Sequence, residues 1–150
     1  MKKSSFEGFI NRYNLGGEVE SVKVTSTDAG LSVNFISDDK TLLGNVSSDN
    51  KDFPNGEYGV YTTSQLKGLL GVLDSNMDVK EGEAALVFSD KGTSVNYMLA
   101  DLSVIPVVPE LKALPPFTST ITMNDDFVSK FIKSKGALSE SDTFTFECKG

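Results

Sequence analysis

The sequence has no histidine, and it has one cysteine among its 150 residues. Without histidine, Ser-His-Asp and Cys-His nucleophile arrangements and the usual zinc and iron ligand sets are excluded. The single cysteine, Cys148, cannot form an internal disulfide, which is typical of a cytoplasmic protein. We therefore expect no catalytic residue, no metal and no cofactor.

Long apolar runs are also missing. No segment approaches the roughly 20 consecutive apolar residues that span a bilayer, and Lys2 and Lys3 precede no apolar stretch of a secretory signal. The chain is nevertheless 39% hydrophobic, which is enough for a real core. These features predict a cytoplasmic protein with no membrane partner.

Acidic residues outnumber basic ones, and the formal net charge is −7. This balance argues against a protein that binds nucleic acid through its overall charge. It leaves local basic faces possible, so the distribution of the charges matters more than their sum.

Three segments carry the signals of an amphipathic helix, each with a possible N-terminal cap followed by apolar residues at helical spacing. Gly136 is expected to end the third of them. The predicted helices cover residues 4–14, 63–74 and 125–135, with caps at Ser4 (paired with Glu7), Thr62 (paired with Gln65) and Asn124.

Most of the remaining sequence alternates apolar and polar residues with the period of a β-strand. Asp28, Ala29 and Gly30 form a predicted hairpin turn between the first two strands. Two further strands are expected to flank the third helix. The predicted strands lie in or near residues 22–24, 31–35, 41–47, 57–61, 78–80, 84–89, 93–99, 118–123 and 142–148.

Residues 105–117 contain four of the five prolines and cannot form a central strand or the interior of a helix. We interpret this segment as an extended connector between domains rather than a long loop within one domain. The third helix echoes the first in its aromatic spacing, which suggests that a second copy of the domain begins near Phe117. The predicted domains are residues 1–110, a connector at 111–116, and an incomplete second domain at 117–150.

The predicted helices are mildly basic, whereas the strands and loops hold most of the 21 acidic residues. Lys130 and Lys133 lie on the polar side of the third helix, Arg12 points away from the apolar stripe of the first, and Lys67 flanks that of the second. Lysines on a solvated helix face are routine. The separation of charge by element type is also what a ring around DNA needs, because a positive lining meets phosphates without sequence preference.

Residues 66–73, LKGLLGVL, carry a family resemblance. Following the strand near Tyr58–Tyr61, they resemble the second helix of T-even-type phage sliding clamps in their leucines and in both glycines. The connector through Pro115, Pro116 and Phe117 is similar to the domain crossover of that family. The glycines permit close approach of a packed neighbour or of hydrated DNA, or are simply tolerated in the helix.

The resemblance implies an α+β DNA-clamp fold, with antiparallel sheets outside and helices packed on one face. It also implies a non-enzymatic processivity factor whose chains form a homo-oligomeric ring of three around duplex DNA, with a DNA polymerase and a clamp loader as partners. The DNA-facing residues are then expected to be Lys2, Lys3, Arg12, Lys67, Lys130, Lys133 and Lys135.

Apolar residues in or near the connector are the candidates for binding the polymerase tail. They could equally pin the connector to the first domain. These candidates are Val107, Val108, Leu111 and Leu114.

Two other classes of function remain open. The first is a small phage structural or assembly protein that makes protein contacts only, and the second is an acid–base enzyme that works without histidine. Dependence on DNA separates the first of these from a clamp.

Overall fold

A computed structural model describes residues 1–110, 113, 116–117 and 120–147. Buried and exposed side chains alternate along the first two thirds of the chain, and this part forms two antiparallel sheets. The four-stranded sheet has the order β3-β2-β1-β4, and the three-stranded sheet has the order β5-β6-β7. The strands are β1 (Val22–Thr27), β2 (Gly30–Ile36), β3 (Leu43–Ser48), β4 (Gly56–Val60), β5 (Asp78–Glu81), β6 (Ala85–Ser89) and β7 (Ser94–Met98).

The first hairpin fixes the register of the four-stranded sheet. Thr27 pairs with Gly30 across a turn at Asp28 and Ala29, as the sequence predicts. Gly30 has a φ of +125° and leaves no room for a Cβ, which would lie 2.0 Å from the Ser48 carbonyl oxygen. Glycine is therefore required where the hairpin turns.

Two helices cover the core of this first unit, which spans Met1–Glu110. Helix α1 (Lys3–Asn14) contacts β3 and helix α2, and α2 (Thr63–Leu70) contacts β7. Their buried residues lie three and four positions apart, so one face of each helix packs inward. The buried helical side chains are Phe6, Phe9, Ile10, Tyr13 and Asn14 in α1, and Thr63, Leu66 and Leu70 in α2.

Phe6 joins the two sheets. Its ring centroid lies 5.2 Å from that of Phe53 in the loop before β4, and 5.8 Å from that of Phe88 in β6. All three side chains are almost completely buried in one hydrophobic cluster with residues of both helices. The two sheets and the two helices therefore share one core.

The predicted capping boxes of the first two helices are wrong. Lys2 rather than Ser4 precedes α1, and neither Lys2 nor Thr62 makes a side-chain hydrogen bond to its helix. Helix α2 also ends at Leu70, four residues before its predicted end, because Gly71–Leu73 continue only as a tighter turn.

The chain returns to the four-stranded sheet after β7. Ala100 forms an isolated antiparallel bridge with Gly59 of β4, and its N–H donates to the Gly59 carbonyl at 2.9 Å. A 3₁₀ turn at Leu102–Val104 follows, and Ile105 is then buried. The segment of residues 100–108 is thereby held against the face of the sheet that points away from the helices.

The second unit, Leu111–Gly150, contains helix α3 (Asp125–Ala137). Its predicted cap is confirmed, because the Asn124 side chain accepts a hydrogen bond from the Phe127 N–H at 2.8 Å. Gly136 lies within the helix and does not end it. Phe131 packs against Phe144 and Phe146, with ring centroids 5.1 Å and 5.6 Å apart.

The strands expected on either side of α3 are absent from the described residues 120–123 and 142–147. A strand requires a hydrogen-bonded neighbour, and alternating side chains do not supply one. The apolar side of α3 is consequently only partly covered, and Phe127, Val128 and Ile132 are each at least 40% exposed. No helix within the described ranges is long and apolar enough to cross a bilayer.

We predict that Gly59→Ala destabilises the protein by about 1–3 kcal/mol, because the new Cβ overpacks the site. That Cβ would lie 2.3 Å from the Ala100 carbonyl oxygen and 3.4 Å from Cγ1 of Ile105. Urea unfolding followed by circular dichroism measures the change.

Gly8→Ala is the matched control. A Cβ at Gly8 meets nothing within 4 Å, and the residue lies inside α1. Alanine there should stabilise the protein, by up to about 1 kcal/mol. A Gly59→Ala variant as stable as its parent would show that residues 100–105 do not lie directly on the sheet.

Candidate nucleic-acid interface

Helices α1 and α2 run antiparallel, and a charged side chain joins them at each end. At the first end Asn14, the last residue of α1, and Ser64, in the first turn of α2, both bind the Glu20 carboxylate. At the other end the Lys3 ammonium of α1 donates to the Leu73 carbonyl, in the turn that ends α2, at 2.8 Å. An anion thus lies at the N-terminus of α2 and a cation near its C-terminus, as the helix dipole favours.

Glu20 replaces the missing cap of α2. Its Oε2 accepts from the Ser64 N–H at 2.8 Å, and its Oε1 accepts from the Ser64 hydroxyl and from the Asn14 amide. Its backbone carbonyl accepts from the Thr63 N–H at 3.0 Å. Two free N–H groups of the first turn, those of Thr63 and Ser64, are therefore satisfied by a residue outside the helix.

The pKa of Glu20 reflects this arrangement. Partial burial raises the pKa, but the hydrogen bonds from Ser64 and Asn14 and the nearby Lys67 ammonium lower it more, so it lies below its ordinary value. The carboxylate already occupies the N-terminus of α2, where a phosphate would otherwise be favoured.

The most exposed residues on the outward faces of the two helices are polar or small, apart from Arg12. The one carboxylate within either helix, Glu7, is half-buried, and its Oε1 lies 3.8 Å from the Lys3 ammonium. Gly8 and Gly68 lie on these faces, and a Cβ at either position would meet nothing within 4 Å. No neighbour in the described part of the chain therefore requires these two glycines. The exposed residues of this face, named the helix face here, are Ser4, Asn11, Arg12, Ser64, Gln65 and Gly68.

The four DNA-facing residues predicted in the first unit differ in availability. Arg12 and Lys2 are exposed, and Lys67 is half-buried close to Glu20. The Lys3 side chain is 17% exposed and its ammonium is held by Leu73, with the Glu7 carboxylate 3.8 Å away. Lys3 therefore supplies positive potential but has little freedom to contact a phosphate.

The other three predicted residues lie on α3 of the second unit, and all are exposed. Lys130 donates to Asp126 at 2.7 Å, an exposed pair one helical turn apart. Lys133 projects from the same polar side, whereas Lys135 follows Phe131 by one turn and projects from the apolar side.

A second feature lies on the opposite face of the four-stranded sheet, where residues 102–108 cover part of the strands. They leave a cavity of about 410 Å³, which we name the connector groove. Its floor consists of polar side chains of β1, β2 and β4, and its wall consists of apolar residues. The floor residues are Lys23, Thr25, Ser32, Asn34 and Glu57, and the wall residues are Leu102, Ile105, Pro106, Val107 and Val108.

The floor of the connector groove is ordered by cross-strand pairs. The Lys23 ammonium donates to Glu57 Oε1 at 2.7 Å, with both side chains half exposed. Asn45 donates through its amide to Asn34 Oδ1 at 2.6 Å. Lys23 and Asn34 are direct cross-strand partners on the same side of the sheet.

Two of the four predicted partner-binding residues, Val107 and Val108, line this groove. Leu111 and Leu114 lie outside the described residues. Sequence reasoning missed the floor, because Lys23 and Glu57 look like ordinary exposed residues of amphipathic strands. Only their pairing across β1 and β4, which the chain does not encode locally, brings them under the connector.

The described residues contain no group of three or more histidine, cysteine, aspartate or glutamate side chains that could hold a metal ion.

No protein-family model and no curated protein matches this chain. The chain is similar in structure to the β chain of DNA polymerase III from Streptococcus pneumoniae TIGR4, with a TM-score of 0.54 and 19% sequence identity over 77% of this chain. It is also similar to the β subunit from DNA polymerase of Streptococcus pyogenes, with a TM-score of 0.57 and 16% identity over 78% of this chain. The chain spans about a third of the length of each, 34%.

These likenesses show the fold. The chain has an α+β DNA-clamp fold with antiparallel sheets and helices, as predicted. Both similar structures are bacterial β chains. Because their identities to this chain are below 20%, the similarity concerns the architecture alone.

We predict that Glu20→Gln lowers the free energy of unfolding by about 1 kcal/mol at pH 7, because α2 loses its charged cap. Since the pKa of Glu20 is lowered in the folded state, its stabilising effect is present above the ordinary pKa of 4.5 and is lost as pH falls through the folded-state pKa. The difference between parent and variant should therefore shrink below about pH 4.5. Urea unfolding at a series of pH values measures it.

Glu18→Gln is the control, since Glu18 is an exposed carboxylate two residues away. Its effect should stay within about 0.5 kcal/mol at all pH values. If the loss caused by Glu20→Gln did not change with pH, the carboxylate charge would not be what caps α2.

Proposed function

We propose that this chain is part of a sliding clamp, a processivity factor that encircles duplex DNA and tethers a replicative polymerase. The observation that carries the proposal is the clamp fold with a helix face that bears an exposed arginine, while the one carboxylate within the two helices, Glu7, lies 3.8 Å from the Lys3 ammonium. In a protein of net charge −7, a face with few acidic side chains repels a polyanion less than the acidic strands and loops do.

The chemistry of the helix face suits loose contact. Serine, asparagine and glutamine side chains reach phosphates through water, and a short polar surface without bulky projections does not read bases. Gly8, which is half-buried, and Gly68, which is exposed, add no side chain to this surface. A surface of this kind holds a duplex without fixing its position, which is what sliding requires.

The cations proposed to face DNA are unequal. In the first unit Arg12 and Lys2 are available, Lys67 is shared with Glu20, and Lys3 is engaged with Leu73. In the second unit Lys133 and Lys130, whose ammonium also pairs with Asp126, lie on the polar side of α3, whereas Lys135 projects from the apolar side and is the weaker candidate. No single cation dominates, so retention on DNA would come from the closed ring.

The finer features of the proposal follow the resemblance to T-even-type clamps: a ring of three chains, loading by a clamp loader, and a polymerase bound beside the connector. The connector groove supports the last of these, because Val107 is 92% exposed beside a cavity of about 410 Å³. Cavities of a few hundred cubic ångströms suit short peptide segments or small molecules. The role is one of binding, without chemistry.

We predict that the chain binds a duplex weakly and that affinity falls as salt rises, because the contacts are with phosphates. Arg12→Glu combined with Lys133→Glu should weaken binding by about tenfold at low salt, since each exchange replaces attraction by repulsion. Fluorescence anisotropy of a labelled 30-base-pair duplex, at about 50 and 200 mM salt, measures both effects.

Lys80→Glu is the matched control. Lys80 is exposed on β5 and pairs with Val87, so it points away from the buried Leu86 and Phe88 side of its sheet. Its charge reversal should change affinity much less than the double variant does. Equal losses would mean that net charge alone matters, and no binding at any salt concentration would favour the assembly-protein alternative.

A further inference from the structure

The loop before β4 contains a reactive pair of residues. Asn55 is followed by Gly56, and it is the only asparagine of the chain that precedes a glycine. Asparagine is a thermally labile residue, because the backbone nitrogen of the next residue can attack its side-chain amide carbon. Glycine has no Cβ to hinder that attack. Asn55 is also exposed to water. Sequence and exposure therefore both favour loss of its amide group.

Packing disfavours a larger residue than glycine at position 56. A Cβ there would lie 2.9 Å from Oη of Tyr58, a residue that is almost completely buried. The Tyr58 hydroxyl in turn donates to the Pro54 carbonyl at 3.0 Å, one residue before Asn55. The contacts that hold the start of β4 therefore also keep the reactive pair in the chain.

The side chain of Asn55 is held by the hairpin between β1 and β2. Its Nδ2 donates to Asp28 Oδ1 at 2.8 Å, and both residues are exposed. While this hydrogen bond is formed, the amide stays on Asp28 and does not turn back on the Gly56 nitrogen. Gly56 pairs with Ser26 at the end of the ladder between β1 and β4, where a sheet opens most easily. Reaction therefore requires release of the amide from Asp28 and opening of this last pair.

We propose that Asn55 is a site of spontaneous deamidation and that its hydrogen bond to Asp28 controls the rate. The Gly56 nitrogen forms a bond to Cγ of Asn55, the Cγ–Nδ2 bond breaks, and ammonia leaves with the proton of the Gly56 N–H. Water then adds to one of the two carbonyl carbons of the resulting cyclic imide. Opening at one carbonyl gives aspartate. Opening at the other gives isoaspartate, in which the main chain runs through the side-chain carbons.

The product places two carboxylates where a hydrogen bond stood. The Nδ2 donor of Asn55 is replaced by an oxygen, which the Asp28 carboxylate repels. Phe53, two residues earlier in the same loop, packs its ring 5.2 Å from that of Phe6 and 5.5 Å from that of Tyr58. Repulsion at position 55 therefore loosens a loop that carries an aromatic residue of the core. Deamidated chains should unfold at a lower urea concentration, whatever the function of the protein.

Ageing of the full chain tests the site. The protein is incubated at neutral and at mildly alkaline pH, and residues 52–67, which trypsin releases, are analysed by mass spectrometry after separation of the aspartate and isoaspartate forms. Asn55 is the only asparagine of that peptide. Both forms should accumulate faster at the higher pH, because the attacking nitrogen must lose its proton. Asn76 is also exposed but precedes Met77, so it is the internal control and should react much more slowly.

Variants test the role of Asp28. Asp28→Ala removes the acceptor and should speed deamidation by about two- to fivefold, the effect of one exposed hydrogen bond. Asp49→Ala, which removes another exposed carboxylate just after β3, is the control and should leave the rate unchanged. Asn55→Asp mimics one product and should lower the urea midpoint. Combining it with Asp28→Asn exchanges donor and acceptor, restores the hydrogen bond and should recover the midpoint.

The possible results separate the site from its control. Reaction at Asn55 no faster than at Asn76, or aspartate formed without isoaspartate, would overturn deamidation through the cyclic imide. An unchanged rate in Asp28→Ala, or an equal acceleration in Asp49→Ala, would overturn the role of the hydrogen bond. None of these results bears on the proposed DNA binding, which the charge-reversal experiment measures separately.

Discussion

The antiparallel pairing of α1 and α2 depends on two charges placed at opposite ends of α2. Glu20 accepts from two N–H groups at its start, and Lys3 donates to a carbonyl beyond its end. An eight-residue helix is marginal in isolation, and α2 also contains Gly68. Its stability therefore comes from these two ends together with the burial of Leu66 and Leu70. Because groups outside the helix bind both of its ends, the exposed side chains of α2 are not needed to cap it.

That freedom explains the composition of the helix face. Short polar side chains on this face contribute little to folding, and no atom of the described residues lies within 4 Å of a Cβ at Gly8 or Gly68, so packing among them does not require glycine at either position. Alanine would stabilise the helix at both positions, so the two glycines lower the helix propensity of α1 and α2. The proposed function offers a reason for this cost: a duplex held in a clamp would approach this face closely and without sequence preference, and small side chains leave room for hydrated phosphates.

Local patterns predicted most of this fold, and they failed where the determining group is distant in the chain. The spacing of Phe6 and Phe9 locates α1, and the turn at Asp28 locates the first hairpin, because each depends on neighbours within a few residues. The cap of α2 comes from Glu20, which is 44 positions from Ser64, and no capping pattern reaches that far. The strands around α3 failed for a related reason, since alternation predicts which side chains share a face but not whether a neighbouring strand exists. The sequence alone identified the basic residues of the helices. A helical wheel could not predict that the Lys3 ammonium binds the Leu73 carbonyl, because Leu73 is distant in the chain.

The proposed DNA side and the proposed partner side of the first unit are two faces of the same strands. In β1, Val22 and Val24 point into the core beneath the helices, while Lys23 between them points into the connector groove. A shift of one residue in the register of β1 would exchange these sets, burying a lysine and exposing two valines. The free-energy cost of that exchange therefore fixes the register of β1 against both of its neighbours, β2 and β4. The hairpin at Gly30 fixes its register against β2 as well. The same five-residue pairing that closes the core also aligns Lys23 with Asn34 and brings Glu57 beside it. The floor of the connector groove is consequently ordered by the same register as the core, and its side chains can be changed without disturbing the helix face.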